Sequence, residues 1–271
     1  MSYREVDQLD VPQEAKLKVL SLNTGLSGRQ LFTEADPSLP PSWRFDSILD
    51  FIYREAPQVV LLQEVYEGSS LERIGNALGG QMVFSRYCDL SLTDRAEEAE
   101  GWGVAIGSKL ALFDVREHYY DRTPISPEKI VLDNGSEHAH SLLRASLRIG
   151  SERFNFGTTH FTWHNQAEPS EHQLKDFEKL AAILKRIPDL VLTGDFNSPR
   201  GYGIFDRLAE MYQDNIPASV DNTFDTGVRP KVTWKLVVDG FFTSEHYLAS
   251  NVRLVQGLSD HQGILGEVCL R

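Results

Sequence analysis

The stretch "LVLTGDFNSPRGYG", Leu190 to Gly203, turns abruptly from apolar to polar. Leu190, Val191 and Leu192 read as a buried strand, and Gly194 lets the backbone bend or be closely approached. Asp195 and Asn197 are two residues apart, so in extended chain they face the same way, while Phe196 points into the core. A carboxylate and a carboxamide presented together can address a reacting group. They can equally form an Asx-turn that holds a loop.

The same break recurs along the chain. "VLSLNTG" breaks at Asn23, "VVLLQEV" at Glu64, "FNFGTTHFTWH" at His160 and "VQGLSDHQG" at Asp260 and His261. "KLVVDGFF" carries Asp239 inside an apolar run, and a carboxylate among Val237, Val238, Phe241 and Phe242 must be paired or coordinated once buried. Taken singly, a glutamate after a strand is an ordinary loop residue and a lone histidine a structural one. Together these side chains are the donors that suit a hard cation and proton transfer.

Strands and a few helices must position them. "KLKVLSLN", "QVVLLQEV", "QMVFS", "WGVAIGS", "ALFDVREH", "SLLRASLRI" and "RFNFGTTHF" read as strands, as do "VTWKLVVDGFF", "VRLVQG" and "GILGEVCL" near the end. Phe45, Ile48, Leu49 and Ile52 share one helical face before Pro57 stops the helix. "SSLERIGNALGG" is a helix closed by a glycine pair. In "PSEHQLKDFEKLAAILKRI", Ser170 and Gln173 form a capping box ahead of an apolar stripe of Leu174, Phe177, Leu180, Ala181 and Leu184. "IFDRLAEMY" is a short helix, and Tyr119 to His138 a long polar insertion. Consecutive strands joined by short turns predict an α/β (α+β) fold: two packed, mainly antiparallel sheets flanked by helices, a four-layered sandwich. Residues 1–14 read as a loose tail and 15–271 as a single catalytic domain, with no linker or internal repeat.

The composition is that of a soluble protein, with 41% hydrophobic and 24% charged residues among 271. No apolar run approaches the length of a membrane helix, so no integral membrane segment is expected. The start has no secretory pattern, and two distant cysteines make no disulfide framework, so a cytoplasmic location is expected. A formal net charge of -12 repels polyanions and speaks against duplex DNA binding as the main task. A nuclease stays open, since a bound cation supplies positive charge locally.

In order, "LN" at Leu22-Asn23, "QE" at Gln63-Glu64, "TH" at Thr159-His160, "GDFN" at Gly194 to Asn197, the strand Asp239 and "SDH" at Ser259 to His261 resemble the motifs of the endonuclease/exonuclease/phosphatase superfamily. That superfamily includes deoxyribonucleases, abasic-site endonucleases, neutral sphingomyelinases, inositol-polyphosphate phosphatases and tyrosyl-DNA phosphodiesterases. The resemblance runs from about Val19 to the last strand. It implies a divalent-metal-dependent hydrolase of phosphoesters, with Mg²⁺ or alternatively Mn²⁺ stabilising charge on the phosphoryl oxygens. By resemblance Glu64 is the principal metal ligand, with Asn23 beside it and Asp260 completing or extending the site. Asp195 would deprotonate the attacking water, Asn197 hold the phosphate or water, and His261 bind a phosphoryl oxygen while Asp239 fixes its tautomer. His160 would contact the phosphate or protonate the leaving oxygen.

Two departures stand out. Some abasic-site endonucleases carry an acidic residue where this chain has Gly25, which puts a second metal site in doubt, and a tyrosine where it has His160. Glu98 and Glu100 are the candidate acidic partners of His160. The loops that would select substrate hold Trp43, Trp102, Trp163 and Trp234, with Arg29, Arg200, Arg229 and Lys231. Loop tryptophans can stack a base, pack an apolar group or anchor a loop. With no basic stripe, a small or lipid-linked phosphoester is favoured over duplex DNA as partner. A nuclease and a catalytically silent binding member are the alternatives.

Overall fold

The structure, a computed structural model, describes residues 15–25, 45–89, 101–120, 139–187, 189–228 and 235–271. The expected tail, nearly all of the expected polar insertion, and Arg29, Trp43, Glu98, Glu100, Arg229, Lys231 and Trp234 lie outside these residues. The described strands are β1 (Leu17–Asn23), β2 (Val59–Tyr66), β3 (Gln81–Asp89), β4 (Gly101–Ser108), β5 (Phe113–Tyr119), β6 (Ser141–Ile149), β7 (Glu152–His160), β8 (Val191–Asp195), β9 (Gln213–Asp214), β10 (Asp239–Thr243), β11 (Tyr247–Val255) and β12 (Gly263–Leu270). The helices are α1 (Phe45–Glu55), α2 (Ser69–Leu78), α3 (Glu171–Leu184) and α4 (Ile204–Met211).

They form two six-stranded sheets, ordered β11-β12-β1-β2-β4-β3 and β5-β6-β7-β8-β10-β9. The period of two in the sequence sorts side chains between layers. Leu17, Val19, Val59, Leu61, Val104 and Ile106 join the core shared with the second sheet. Their neighbours Leu20, Leu22, Val60, Leu62 and Ala105 pack instead with Ile48, Phe51 and Ile52 of α1 and Ile74 and Leu78 of α2. On the second sheet, Phe205 of α4 meets Phe242 of β10 with ring centroids 5.0 Å apart. Phe177, Leu180 and Leu184 of α3 are buried in the same core. The result is the expected sandwich, helices outside and sheets inside. No helix among the described residues is long and apolar enough to cross a membrane.

Among the described strands pairing is antiparallel except at two places, and those two align the polar strand ends. β1 and β2 run parallel with Asn23 opposite Gln63. β7 and β8 run parallel with His160 opposite Asp195. Each parallel pair needs a crossover, which carries α1 and α3 respectively. β10 then pairs antiparallel to β8 with Asp239 opposite Asp195. Three strands thus deliver His160, Asp195 and Asp239 at one level of the sheet.

One expected strand is shorter than its sequence suggested. β10 begins at Asp239 rather than upstream, because the preceding backbone is taken by loops. The Thr223 hydroxyl accepts from the amides of Val238 and Asp239 at 3.1 and 3.3 Å, and the carbonyls of Val237 and Val238 accept from Arg200 and Phe196. Asp239 therefore lies at the mouth of a strand and not in its middle.

Candidate active site

The ends of β1, β2, β7, β8 and β10 and the turn before β12 converge on one cleft. Asn23 ties its two sides together: its Nδ2 donates to Glu64 Oε1 at 3.2 Å and to Asp195 Oδ2 at 3.0 Å. Its own orientation is fixed by Gly25 N, which donates to Asn23 Oδ1 at 2.9 Å. Ser259 Oγ donates to the Asn23 carbonyl at 2.6 Å and accepts from His261 N at 3.1 Å, which locks the last turn onto β1.

Glu64 reaches the cleft through a local irregularity. The pairing of β2 with β4 shifts register between Leu62 and Val65, and Glu64 has φ of 57°. A bulge with a left-handed non-glycine residue costs on the order of 1–3 kcal/mol and re-aims one side chain. Thr24 holds it there, its hydroxyl donating to the Glu64 carbonyl at 2.7 Å. Burial and the charge of Asp260 push the Glu64 carboxyl up to about 7.

His261 Nδ1 lies 2.9 Å from Asp239 Oδ2, so the carboxylate that needed a partner has one. Burial works against the imidazolium, but Asp239, Asp195 and Asp260 outweigh it and raise His261 to about 10. Its Nε2 faces the cleft, 3.8 Å from Asp195 Oδ2, and its ring packs on Phe224 at 4.7 Å. His160 Nε2 approaches from the other side, 3.6 Å from Asp195 Oδ2 and 3.8 Å from Glu64 Oε1. Its carbonyl lies 3.0 Å from His140 Nδ1, a support the sequence did not suggest.

Asp195 is buried at the centre. Burial and the nearby charge of Asp239 raise its carboxyl to about 7. The common face expected for Asp195 and Asn197 is not made by extended chain, for β8 stops at Asp195 and Asn197 has φ of 47°. Asn197 N donates to Asp195 Oδ1 at 2.9 Å, which is an Asx-turn, and Asn197 Nδ2 donates to the Phe161 carbonyl at 2.8 Å. The turn and the carboxylate at the cleft are both present, so the two readings of "GDFN" are not exclusive. Phe196 is buried as expected, its ring 5.4 Å from Phe242.

Gln173 was legible only as a capping residue. The box is present, with Ser170 Oγ accepting from Gln173 N and Gln173 Oε1 from Ser170 N, both at 3.1 Å. The same buried amide also donates to the carbonyls of Thr162 and Asn197, at 2.8 and 3.1 Å. It thereby ties the loops after β7 and β8 to the start of α3.

The donor set fits a hard cation. Four carboxylates, Glu64, Asp195, Asp239 and Asp260, gather with Asn23, and among the described residues no lysine or arginine pairs with the first three. Asp195, Asp239 and His261 offer ligand atoms within 4.8 Å of one another. Asp239 and His261 already satisfy each other, however, so Glu64, with Asn23 and Asp260, is the better place for a cation. Gly25 leaves no room for the acidic side chain of some abasic-site endonucleases: with φ of 57°, a Cβ there would lie 2.0 Å from Asp260 Oδ1.

Comparison with known proteins places this fold. The model of the endonuclease/exonuclease/phosphatase family matches residues 20–261, and the chain belongs to that family. Members of the family are hydrolases of phosphoesters, typically dependent on divalent metals. No curated protein matches the sequence. Solved structures share the fold at low identity. A family member from Bacteroides thetaiotaomicron is 16% identical, with 96% of this chain and 99% of that one covered and a TM-score of 0.69. A mannosyl-6-phosphatase from the same organism is 16% identical, with 94% and 100% covered and a TM-score of 0.69. ANGEL2, a 2′,3′-cyclic phosphatase, is 17% identical, with 95% and 96% covered and a TM-score of 0.67.

Proposed function

We propose that this chain hydrolyses the phosphoester bond of a small molecule with the help of Mg²⁺ or Mn²⁺. The observation that carries the reading is Asp195, a buried carboxylate raised to about 7, between His261 and the Asn23–Glu64 pair. A base with a pKa near neutrality takes a proton from water most effectively at physiological pH. A formal net charge of -12 supports a small substrate over a polyanion, and a mannosyl-6-phosphatase is among the solved structures with this fold.

Asn23, Glu64 and Asp260 would hold the cation, which supplies charge stabilisation at a phosphoryl oxygen. Asp195 accepts the proton of the attacking water as its oxygen bonds to phosphorus. His261, held as imidazolium by Asp239, donates from Nε2 to a non-bridging oxygen. Asn197 keeps one Nδ2 hydrogen on Phe161 and offers the second to the phosphate. The ester P–O bond breaks, and His160 would protonate the departing oxygen. Water is split between the two products, with no other reactant consumed.

The test is a panel of plasmid DNA, sphingomyelin vesicles, inositol phosphates, nucleotides and sugar phosphates, each with Mg²⁺ and with a chelator. Chelator-sensitive cleavage of a small phosphoester supports the reading. Cleavage of plasmid DNA alone, or turnover unaffected by the chelator, contradicts it.

A further inference from the structure

We propose that the hollow next to Asn197 binds the organic part of the substrate, and that this part is an uncharged polar ring of the size of a sugar or a nucleobase. This deepens the hydrolase reading and rests on it for the position of the phosphate.

The hollow has a volume of about 340 Å³, at the small end of ligand pockets, and Asn197 and Phe224 form its edge toward the phosphate site. Phe224 is also the ring on which His261 packs, so the hollow adjoins the side of the cleft that His261 lines. Leu236 and Val238 form an apolar wall, while the loop after β7 presents Trp163, Asn165 and Gln166. Trp163 is 58% exposed, an aromatic face presented to solvent at the rim of a cleft. Its loop is nonetheless fixed. Thr162 Oγ1 donates to the buried Asp176 at 2.7 Å, and Gln173 and Asn197 bind the carbonyls of Thr162 and Phe161. A rigid aromatic face beside two amides is built for a flat polar ring, which stacks on one and hydrogen-bonds to the other.

What lines the hollow also sets the charge. His164 is the one ionisable side chain among its described lining residues, which include no lysine, arginine, aspartate or glutamate. Arg200, adjacent in sequence to Pro199 of the lining, is turned away, 2.7 Å from Asp214 Oδ2 and donating to the carbonyl of Ile216. Among the described lining residues a second phosphate would find no lysine or arginine to face it, in a protein of net charge -12. An acyl chain would meet amides rather than a continuous apolar groove. The described lining therefore favours a ring with a single phosphate over a multiply phosphorylated ring or a lipid.

The test uses adenosine 5′-monophosphate, glucose 6-phosphate, glycerol phosphate, inositol trisphosphate and phosphatidic acid vesicles. The first three are offered both as monoesters and as methyl diesters. Binding is measured by calorimetry on the Asp195→Asn protein with Mg²⁺, and turnover on the unsubstituted protein. The expected result is tighter binding of one ring ester than of glycerol phosphate. Trp163→Ala should weaken that ester about tenfold while leaving glycerol phosphate unchanged, and Trp163→Phe should restore most of it. The adenosine and glucose arms decide which ring is preferred. Equal affinity for glycerol phosphate and both ring esters overturns the proposal. So do tightest binding of inositol trisphosphate or vesicles, and ring binding unaffected by Trp163→Ala. A ring preference in binding with no turnover of any ester would leave the subsite standing and refute the hydrolase reading alone.

Discussion

Replacing Asp239 by asparagine keeps the shape and the acceptor that faces His261 but removes the charge. The two side chains are 2.9 Å apart at their nearest atoms, and His261 titrates at about 10 against an ordinary value of 6.5. At an effective dielectric constant of about 20, opposite charges roughly 4 Å apart gain about 4 kcal/mol, or about 3 pKa units. The variant imidazole should therefore titrate near 7, still lifted somewhat by Asp195 and Asp260. At pH 8 it passes from almost fully charged to about one-tenth charged. The alkaline limb of the rate profile should move down by the same interval. Stability follows the same sign: folding raises the His261 pKa, so its contribution is complete below 6.5 and is lost as pH rises toward about 10. In the variant that loss is over by about 7. The assay is an NMR titration of ¹³C-labelled histidine, with the resonance identified from His261→Ala, alongside rates for the two single variants and the double one. A His261 that stays protonated at pH 9 in the Asp239→Asn protein would refute the reasoning. So would additive effects of the two substitutions on log rate.

Other consequences can be measured separately. Glu64 titrates at about 7 without a cation, so Mg²⁺ has to displace its proton below that pH. Affinity should fall about tenfold per pH unit below 7, with about one proton released per ion at acid pH; calorimetry in buffers of different ionisation heat reads this, and pH-independent affinity would move the cation off Glu64. Gln173→Ala should lower kcat as well as costing about 2 kcal/mol of stability by leaving two loop carbonyls unpaired. Ser170→Ala should cost about 1 kcal/mol by weakening the cap alone and leave kcat in place, a contrast that urea titration and steady-state rates detect. Phe196→Ala should cost about 3–5 kcal/mol in thermal or chemical unfolding, since it empties a ring-lined site under the cleft. An unchanged midpoint would show that Phe196 does not anchor "GDFN".

The layers were legible because the alternation of Leu17–Asn23 and the apolar run of Val59–Tyr66 are local properties. The gathering of the polar strand ends was implied by the resemblance of the ordered motifs, and it requires β1 and β2 of one sheet to end beside β7, β8 and β10 of the other. The remainder depends on contacts between distant residues. The bulge that re-aims Glu64 is set by the register of β2 on β4, which periodicity does not encode. Gly25 looked like a missing acidic residue until Asp260, more than two hundred positions away, was seen to fill the space. Gln173 advertised its cap through local spacing and concealed its hold on Asn197. The start of β10 was misplaced because Thr223 and the turn after Asp195 compete for the backbone that a strand would have used.

The most direct test of the account is the rate of the Asp195→Asn protein at saturating Mg²⁺ on whichever phosphoester the unsubstituted protein cleaves. An amide cannot take the proton, while the hydrogen bond from Asn197 and the fold around it remain. The account predicts a fall in kcat of about 10²–10⁴, with Mg²⁺ affinity largely kept. Undiminished turnover by the Asp195→Asn protein would show that "GDFN" is a turn and nothing more, and would contradict the central claim.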